Sequence, residues 1–240
     1  GIETTTGPLG QGIANAVGMA MAERHLAAKF GNELVDHNTY VIAGDGCLME
    51  GISHEAASMA GHMRLGRLIV LFDDNGISID GSTNLTVSDD ISGRFGAYGW
   101  QVLTCDGHEM DTVSAAITDA KTDERPSLIR CKTLIGYGSP AKQGTSSVHG
   151  APLGDAEIIA ARETLNWRHG AFQIPADLLS KWREVGRKGN AVRAHWQKRH
   201  DKHSDVTIFD ATIRGDLPTE LAPAILEWKK TLASKPQEMA

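Results

Sequence analysis

The sequence predicts an α/β domain, an open parallel sheet with helices on both faces, followed by a helical C-terminal appendage. Three observations predict it. Short apolar, β-branched runs recur along the first part of the chain, stretches of helical length and spacing separate them, and beyond residue 167 the strand-like runs stop while the helical pattern continues. Strands that alternate with helices are joined by right-handed crossovers, which makes the strands parallel and covers both faces of the sheet.

Residues 9–29 place Ile13, Ala16, Val17, Ala20 and Met21 at helical spacing, with Gly12 and Gly18 among them, so this helix can pack closely and is expected to be buried. Thr39-Tyr40-Val41-Ile42-Ala43 reads as a strand stopped by Gly44, and residues 67–72 repeat the design before Asp73-Asp74-Asn75-Gly76. Between them, residues 52–62 have the length of a crossover helix. A strand at 100–105, a helix near 112–121 and a strand at 127–134 after Pro126 extend the alternation. The glycine-rich connection of residues 136–154 follows, and a loop of that length in a compact domain is usually functional or mobile. Asp155 is the expected N-cap of a helix running to about Trp167, and Pro175 opens a helical region that continues with interruptions to about Ser234. These readings divide the chain into an α/β domain at 1–167 and a helical tail at 168–240.

At 240 residues, 41% of them hydrophobic and 22% charged, the composition is that of an ordinary globular protein and excludes disorder, collagen and coiled coil. No run of about 18 apolar residues could span a bilayer, and the first residues lack the basic and apolar regions of a secretory signal. A cytoplasmic protein without a membrane partner is the expectation. The net charge of -6 also disfavours nucleic acid. One segment opposes that charge: eight Lys or Arg residues stand between Lys181 and Lys202 against Glu184 and Asp201, which suits a solvated helix face packed on a larger protein. Cys47, Cys105 and Cys131 are too widely spaced for a disulfide framework or a Cys-x-x-Cys metal site, and read as reduced thiols.

The strongest chemical signal is Gly44-Asp45-Gly46 at the end of one strand, with 28 residues (47–74) separating it from Asn75 at the end of the next. In a parallel sheet these ends share one edge, where open α/β folds bind their ligands. Carboxylate, amide and carbonyl oxygens suit Mg²⁺ or Ca²⁺, and a site with few protein ligands completes its shell with phosphate oxygens and water. Gly46 lets the backbone approach such phosphates, and a helix starting near Gly51 turns its amide-rich end toward them. Singly, Gly-Asp-Gly and Asp-Asn-Gly are also ordinary turns. A dinucleotide fingerprint is excluded, because neither glycine cluster reads Gly-x-Gly-x-x-Gly and an acidic side chain inside the turn repels phosphate unless a cation lies between.

Four longer stretches carry a resemblance: Glu3-Thr4-Thr5-Thr6-Gly7-Pro8-Leu9-Gly10-Gln11-Gly12, residues 44–55 from Gly44-Asp45-Gly46 to His54-Glu55, Asp73-Asp74-Asn75-Gly76-Ile77-Ser78-Ile79, and His149-Gly150-Ala151-Pro152-Leu153-Gly154. In order and type they resemble the transketolase family from Gly1 to about Trp167, and the tail matches more loosely. The resemblance implies the thiamine diphosphate-binding fold and the cofactors thiamine diphosphate and Mg²⁺, for which Ca²⁺ can substitute. It implies metal ligands at Asp45, Asn75 and the carbonyl of Ile77, and contacts of Gly7, Pro8 and Leu9 with the thiazolium ring. Gly46 corresponds to an amide donor to diphosphate. His149 corresponds to a histidine near diphosphate and substrate that exchanges protons there. Glu50 and Glu55 correspond to glutamates of a hydrogen-bonded network at a subunit interface, although carboxylates at a helix start need no such role. His54, His62 and His108 read as structural.

The activity implied is transfer of a two-carbon glycolaldehyde unit from a ketose phosphate to an aldose phosphate by a homodimer. Against the family pattern, the chain opens on the motif at Glu3, so the earlier active-site histidines, the substrate-phosphate contacts and the pyrimidine-binding domain are expected to lie in segments not included here. Thr145-Ser146-Ser147 stands where many members carry a further histidine. The isolated chain is therefore expected to be inactive and to bind cofactor weakly. The alternative is a non-catalytic binding or regulatory module that keeps the fold, which has no need to retain Asp45, Asn75 and His149 together.

Overall fold

A computed structural model describes residues 2–235; Gly1 and residues 236–240, the outermost ends of the expected domain and tail, lie outside the described residues. Four parallel strands form the main sheet: β1 (Thr39–Gly44), β2 (Leu68–Asp74), β5 (Gln101–Asp106) and β6 (Ser127–Lys132), in the order β1-β2-β6-β5. Between β2 and β5 the chain makes a two-stranded antiparallel hairpin, β3 (Ile77–Ser78) and β4 (Gly81–Ser82). The helices of the domain are α1 (Gln11–Phe30), α2 (Asp45–Met49), α3 (Gly51–His62), α4 (Ile91–Ala97), α5 (Met110–Ala120) and α6 (Asp155–Thr164).

Side-chain alternation along β2 distributes the core. Leu68, Val70 and Phe72 join Leu128 of β6 in a cluster with Ile13, Ala16, Val17 and Ala20 of α1, Ala56, Ala57 and Ala60 of α3, and Phe95 of α4. Ile69 turns to the other face, where Ile129 and Cys131 pack under Ala116 and Ala120 of α5. The small residues of α1 and α3 let these two helices pack together, as the glycine and alanine pattern predicts. Trp100 closes the first cluster: it is 2% exposed, meets Phe95 edge-on and donates its indole N–H to the Ala57 carbonyl at 2.8 Å. Helices lie on both faces, as expected. On the α5 side the cover stops short of β1, and Ile42 there remains 84% exposed.

Among the α-helices and strands, α2, α4 and the β3–β4 hairpin lie outside the sequence reading. Element ends also shift: Asp155 is the first residue of α6 and Gly154 its cap, with no side-chain capping bond. The helix ends at Thr164, although the Trp167 N–H still returns to the Arg162 carbonyl at 2.7 Å. The tail is helical between its turns, with α7 (Ala176–His200) opening after Pro175, then α8 (Val206–Arg214) and α9 (Leu221–Ser234). It docks on the end of α1, where Phe30, Leu34 and Val35 meet Phe209 and Trp196. Among the described residues, no helix is long and apolar enough to cross a membrane.

Candidate functional site

β1 and β2 are in register with Gly44 opposite Asp73, so their carboxyl ends reach one edge together. The chain does not make the ordinary Gly-Asp-Gly turn after Gly44. It enters α2 directly at Asp45, and the helical path breaks at Glu50 (φ −66°, ψ 139°) before α3 resumes. The amide-rich end nearest the site is therefore that of α2, and Gly46 is one of its first residues. Asp45 is 6% exposed and accepts a hydrogen bond from the Gly76 N–H at 3.2 Å. Burial, and secondarily the nearby Asp74 carboxylate, pushes the Asp45 carboxyl above the ordinary carboxylate range.

Asn75 sits on the turn between β2 and β3. Its Oδ1 accepts the Ile77 N–H at 2.9 Å, and its Nδ2 donates to Asp73 at 3.2 Å. Asp73 also accepts the Thr133 hydroxyl. Asp74 is satisfied separately by Arg130 at 2.7 Å and Lys132 at 2.6 Å, two cations of β6. Sequence reasoning quoted Asp73 and Asp74 without giving them a role and missed Thr133, Arg130 and Lys132. The signal that could have found them is the β2–β6 register, which sets Asp73 beside Cys131 and Asp74 beside Lys132.

Leu9, and Gly10 after it, come to the same place. Gly10 has φ +80°, and a Cβ built on it would stand 2.7 Å from Ile52 Cγ2 and 2.8 Å from Glu50 Cβ, so the segment is pressed against the start of α3. A Cβ on Gly46 would stand 3.1 Å from Leu9 Cδ1. Thus Leu9, Gly46 and Glu50 are neighbours, with Gly7, Pro8 and Leu9 exposed on the surface. Glu55 is also exposed, one turn along α3.

His149 is placed otherwise. It follows the 3-10 turn Ser146–Val148, is exposed, and returns its backbone N–H to the Ser146 carbonyl at 3.0 Å. Among the described residues no hydrogen bond or ion pair links it to the Asp45 and Asn75 group. The loop that carries it is tied down by a residue the sequence reading did not single out. Glu157 of α6 accepts the Ser139 hydroxyl and the Ala141 N–H, the latter at 2.9 Å, while Lys142 Nζ donates to the Leu153 carbonyl at 2.7 Å. The Ser139 hydrogen bond leads the effects that hold the Glu157 carboxyl below its ordinary range.

His54 bridges Arg94 at 3.1 Å and Tyr98 at 3.3 Å, and His108 accepts the Leu134 N–H at 2.9 Å while stacking on Tyr137, so both have structural partners. The β5–β6 register brings Cys105 within 3.8 Å of Cys131 as a thiol pair, and burial pushes the Cys131 thiol up to about 12.

Asp45 and Asn75 offer oxygen donors of the kind a hard divalent cation takes. Among the described residues no group of three or more His, Cys, Asp or Glu is arranged to hold a metal ion, so a cation here would draw on the Asp45 carboxylate with an amide and a carbonyl oxygen. Asp45 is a buried carboxylate whose ionised form is disfavoured, and a cation relieves that penalty. Gly46 leaves the approach to the α2 amides free of a side chain.

Comparison with known proteins gives a consistent set of likenesses. The family model described as transketolase, thiamine diphosphate binding domain, matches residues 1–218. A transketolase of Cereibacter sphaeroides is 55% identical over 240 residues, the whole of this chain and 36% of that relative, and transketolase 1 of Aliivibrio fischeri is 55% identical over 92% of this chain and 34% of its own length. Among solved structures, a transketolase from Leishmania mexicana superposes with a TM-score of 0.87 at 42% identity, covering 91% of this chain and 34% of that one. A transketolase from Pichia stipitis in complex with sedoheptulose-7-phosphate superposes with a TM-score of 0.78 at 41% identity, covering 84% and 31%. The chain spans about a third of the length of these relatives.

Proposed function

The chain belongs to the transketolase family, and from that premise we propose that it supplies the diphosphate- and metal-holding part of a transferase that moves a two-carbon glycolaldehyde unit from a ketose phosphate to an aldose phosphate. The observation that carries the reading is the buried Asp45 beside the Asn75 turn at the shared edge of β1 and β2. The sedoheptulose-7-phosphate complex of the Pichia stipitis relative supports the substrate class.

In this reading residues 1–167 are the diphosphate-binding domain, and the tail at 168–240 leads toward a pyrimidine-binding domain of the kind the family uses. The Asp45 carboxylate, the Asn75 amide oxygen and the Ile77 carbonyl hold Mg²⁺, with Ca²⁺ as a substitute that tolerates a looser oxygen shell. Gly46 would help hold the diphosphate through its N–H, with the amides at the start of α2 beside it. Gly7, Pro8 and Leu9 would contact the cofactor when it is bound. When bound, thiamine diphosphate supplies the carbon nucleophile and electron sink for breaking and remaking a carbon–carbon bond beside a carbonyl. The His149 imidazole would move a proton to or from a substrate hydroxyl. Glu50 and Glu55 lie on the surface where a second subunit of a cytoplasmic homodimer packs.

The test is two-carbon transfer from sedoheptulose 7-phosphate to an aldose phosphate by the full-length natural protein, beside its Asp45→Ala variant. The proposal expects transfer that requires thiamine diphosphate and Mg²⁺ and falls at least about a hundredfold in the variant. Absence of transfer in the wild-type protein, or full activity in Asp45→Ala, contradicts it.

A further inference from the structure

An asparagine serves a cation only through its amide oxygen, yet the two ends of the amide are nearly equal in size, so the surroundings must choose between them. At Asn75 they do so twice. Oδ1 accepts the Ile77 N–H at 2.9 Å, and Nδ2 donates to Asp73 Oδ2 at 3.2 Å. A flipped amide would set its NH₂ against the Ile77 N–H and its oxygen against the Asp73 carboxylate, replacing two hydrogen bonds with two repulsions.

Asp73 is itself held. Its other oxygen, Oδ1, accepts the hydroxyl of Thr133, the residue just beyond β6. Thr133 is anchored in turn, because its N–H donates to the Asp74 carbonyl at 3.3 Å and continues the parallel ladder past the strand end. Arg130 and Lys132 pair with Asp74 and leave the Asp73 carboxylate to Thr133 and Asn75.

We propose that Asp73 and Thr133 are positioning residues, a hydroxyl–carboxylate pair that fixes the Asn75 amide with its oxygen over the Gly76–Ile77 backbone, the stretch that also meets Asp45. This rests on the reading of Asp45 and Asn75 as cation ligands. Asp73 enforces the amide orientation by being able only to accept, and Thr133 keeps that carboxylate at the distance Asn75 needs. Outer partners of this kind typically change metal affinity by about tenfold to a hundredfold when removed.

The experiment uses the whole chain and its Thr133→Val, Thr133→Ser and Asp73→Asn variants, each checked for an unchanged fold by circular dichroism. Two quantities are read: Mn²⁺ affinity, from the electron paramagnetic resonance of the free ion, and the side-chain amide resonances of Asn75 in protein labelled with ¹⁵N-asparagine. Thr133→Val and Asp73→Asn are expected to weaken Mn²⁺ binding about tenfold or more and to move the Asn75 amide resonances, while Thr133→Ser restores both to wild type. Unmoved resonances with Mn²⁺ binding equal to wild type in Thr133→Val and Asp73→Asn overturn the proposal. A wild-type chain that takes up no Mn²⁺ while the resonances still respond to Thr133→Val and recover in Thr133→Ser sinks the cation reading and upholds the positioning of the amide.

Discussion

Asp45 combines two demands that oppose each other, burial and ionisation. Because burial raises its carboxyl above the unfolded value, its contribution to stability is complete below the ordinary carboxylate range and is lost as pH rises through the raised value. The cation-free protein is thus expected to lose stability across that window, and Asp45→Asn to flatten the pH profile and raise the thermal midpoint at neutral pH while weakening Mg²⁺ binding at least about tenfold. Thermal melts over a pH series, with and without Mg²⁺, check both halves. A flat wild-type profile contradicts the electrostatic account of this residue. Asp45 and Asn75 were legible in the sequence because motif spacing at two strand ends needs no knowledge of side-chain direction. Asp73, Thr133 and Glu157 were not, since their partners lie 60, 60 and 18 residues away and depend on strand register or loop path. His149 was found as a residue, but its exposure after the 3-10 turn Ser146–Val148 is a property of the loop and not of the motif.

At the scale of elements, the four main strands and α1, α3 and α5 were readable because apolar periodicity follows burial directly. The β3–β4 hairpin has two-residue strands, and α4 buries only Phe95, so neither leaves a periodic trace. Where α3 meets the end of α4 the packing is close: a Cβ on Gly61 would lie 1.8 Å from the Tyr98 carbonyl oxygen. Gly61→Ala is expected to cost about 3 kcal/mol, read as a lowered urea midpoint, because backbone must move to admit the methyl. A midpoint within error of wild type contradicts this packing. In the tail, His200 bonds Asp210 at 2.8 Å and Asp201 at 3.1 Å, and its ring lies 4.8 Å from that of Trp196. The Asp210 bond, then the Asp201 bond, raises the His200 pKa, so this contribution to α7–α8 docking is complete below the unfolded histidine value and is lost as pH rises through the folded one. Trp196 emission, taken as the difference from a Trp196→Phe variant, should change over that window in wild type and stay constant in His200→Gln. An unchanged wild-type signal contradicts the coupling.

For the whole molecule, the chain spans about a third of its relatives' length, and large apolar groups stay on its surface, among them Ile42 of β1, Trp182 and Val192 of α7, and Trp228 of α9. That pattern is what a domain working against further protein surface presents, and larger patches of this kind mark interaction sites. The fold class was legible because alternating strand and helix patterns leave few topologies. Which surfaces meet a partner was not, because exposure is decided only once the sheet order and the cover over each face are known.

In the proposed site a divalent cation on Asp45 and Asn75 carries the diphosphate. The most direct measurement of this is a calorimetric titration of the chain with millimolar thiamine diphosphate, performed with Mg²⁺, with chelator, and with Asp45→Ala in Mg²⁺. Weak but measurable binding is expected in Mg²⁺ alone, absent with chelator and absent in the variant; binding of equal strength under all three conditions contradicts a cation-held diphosphate.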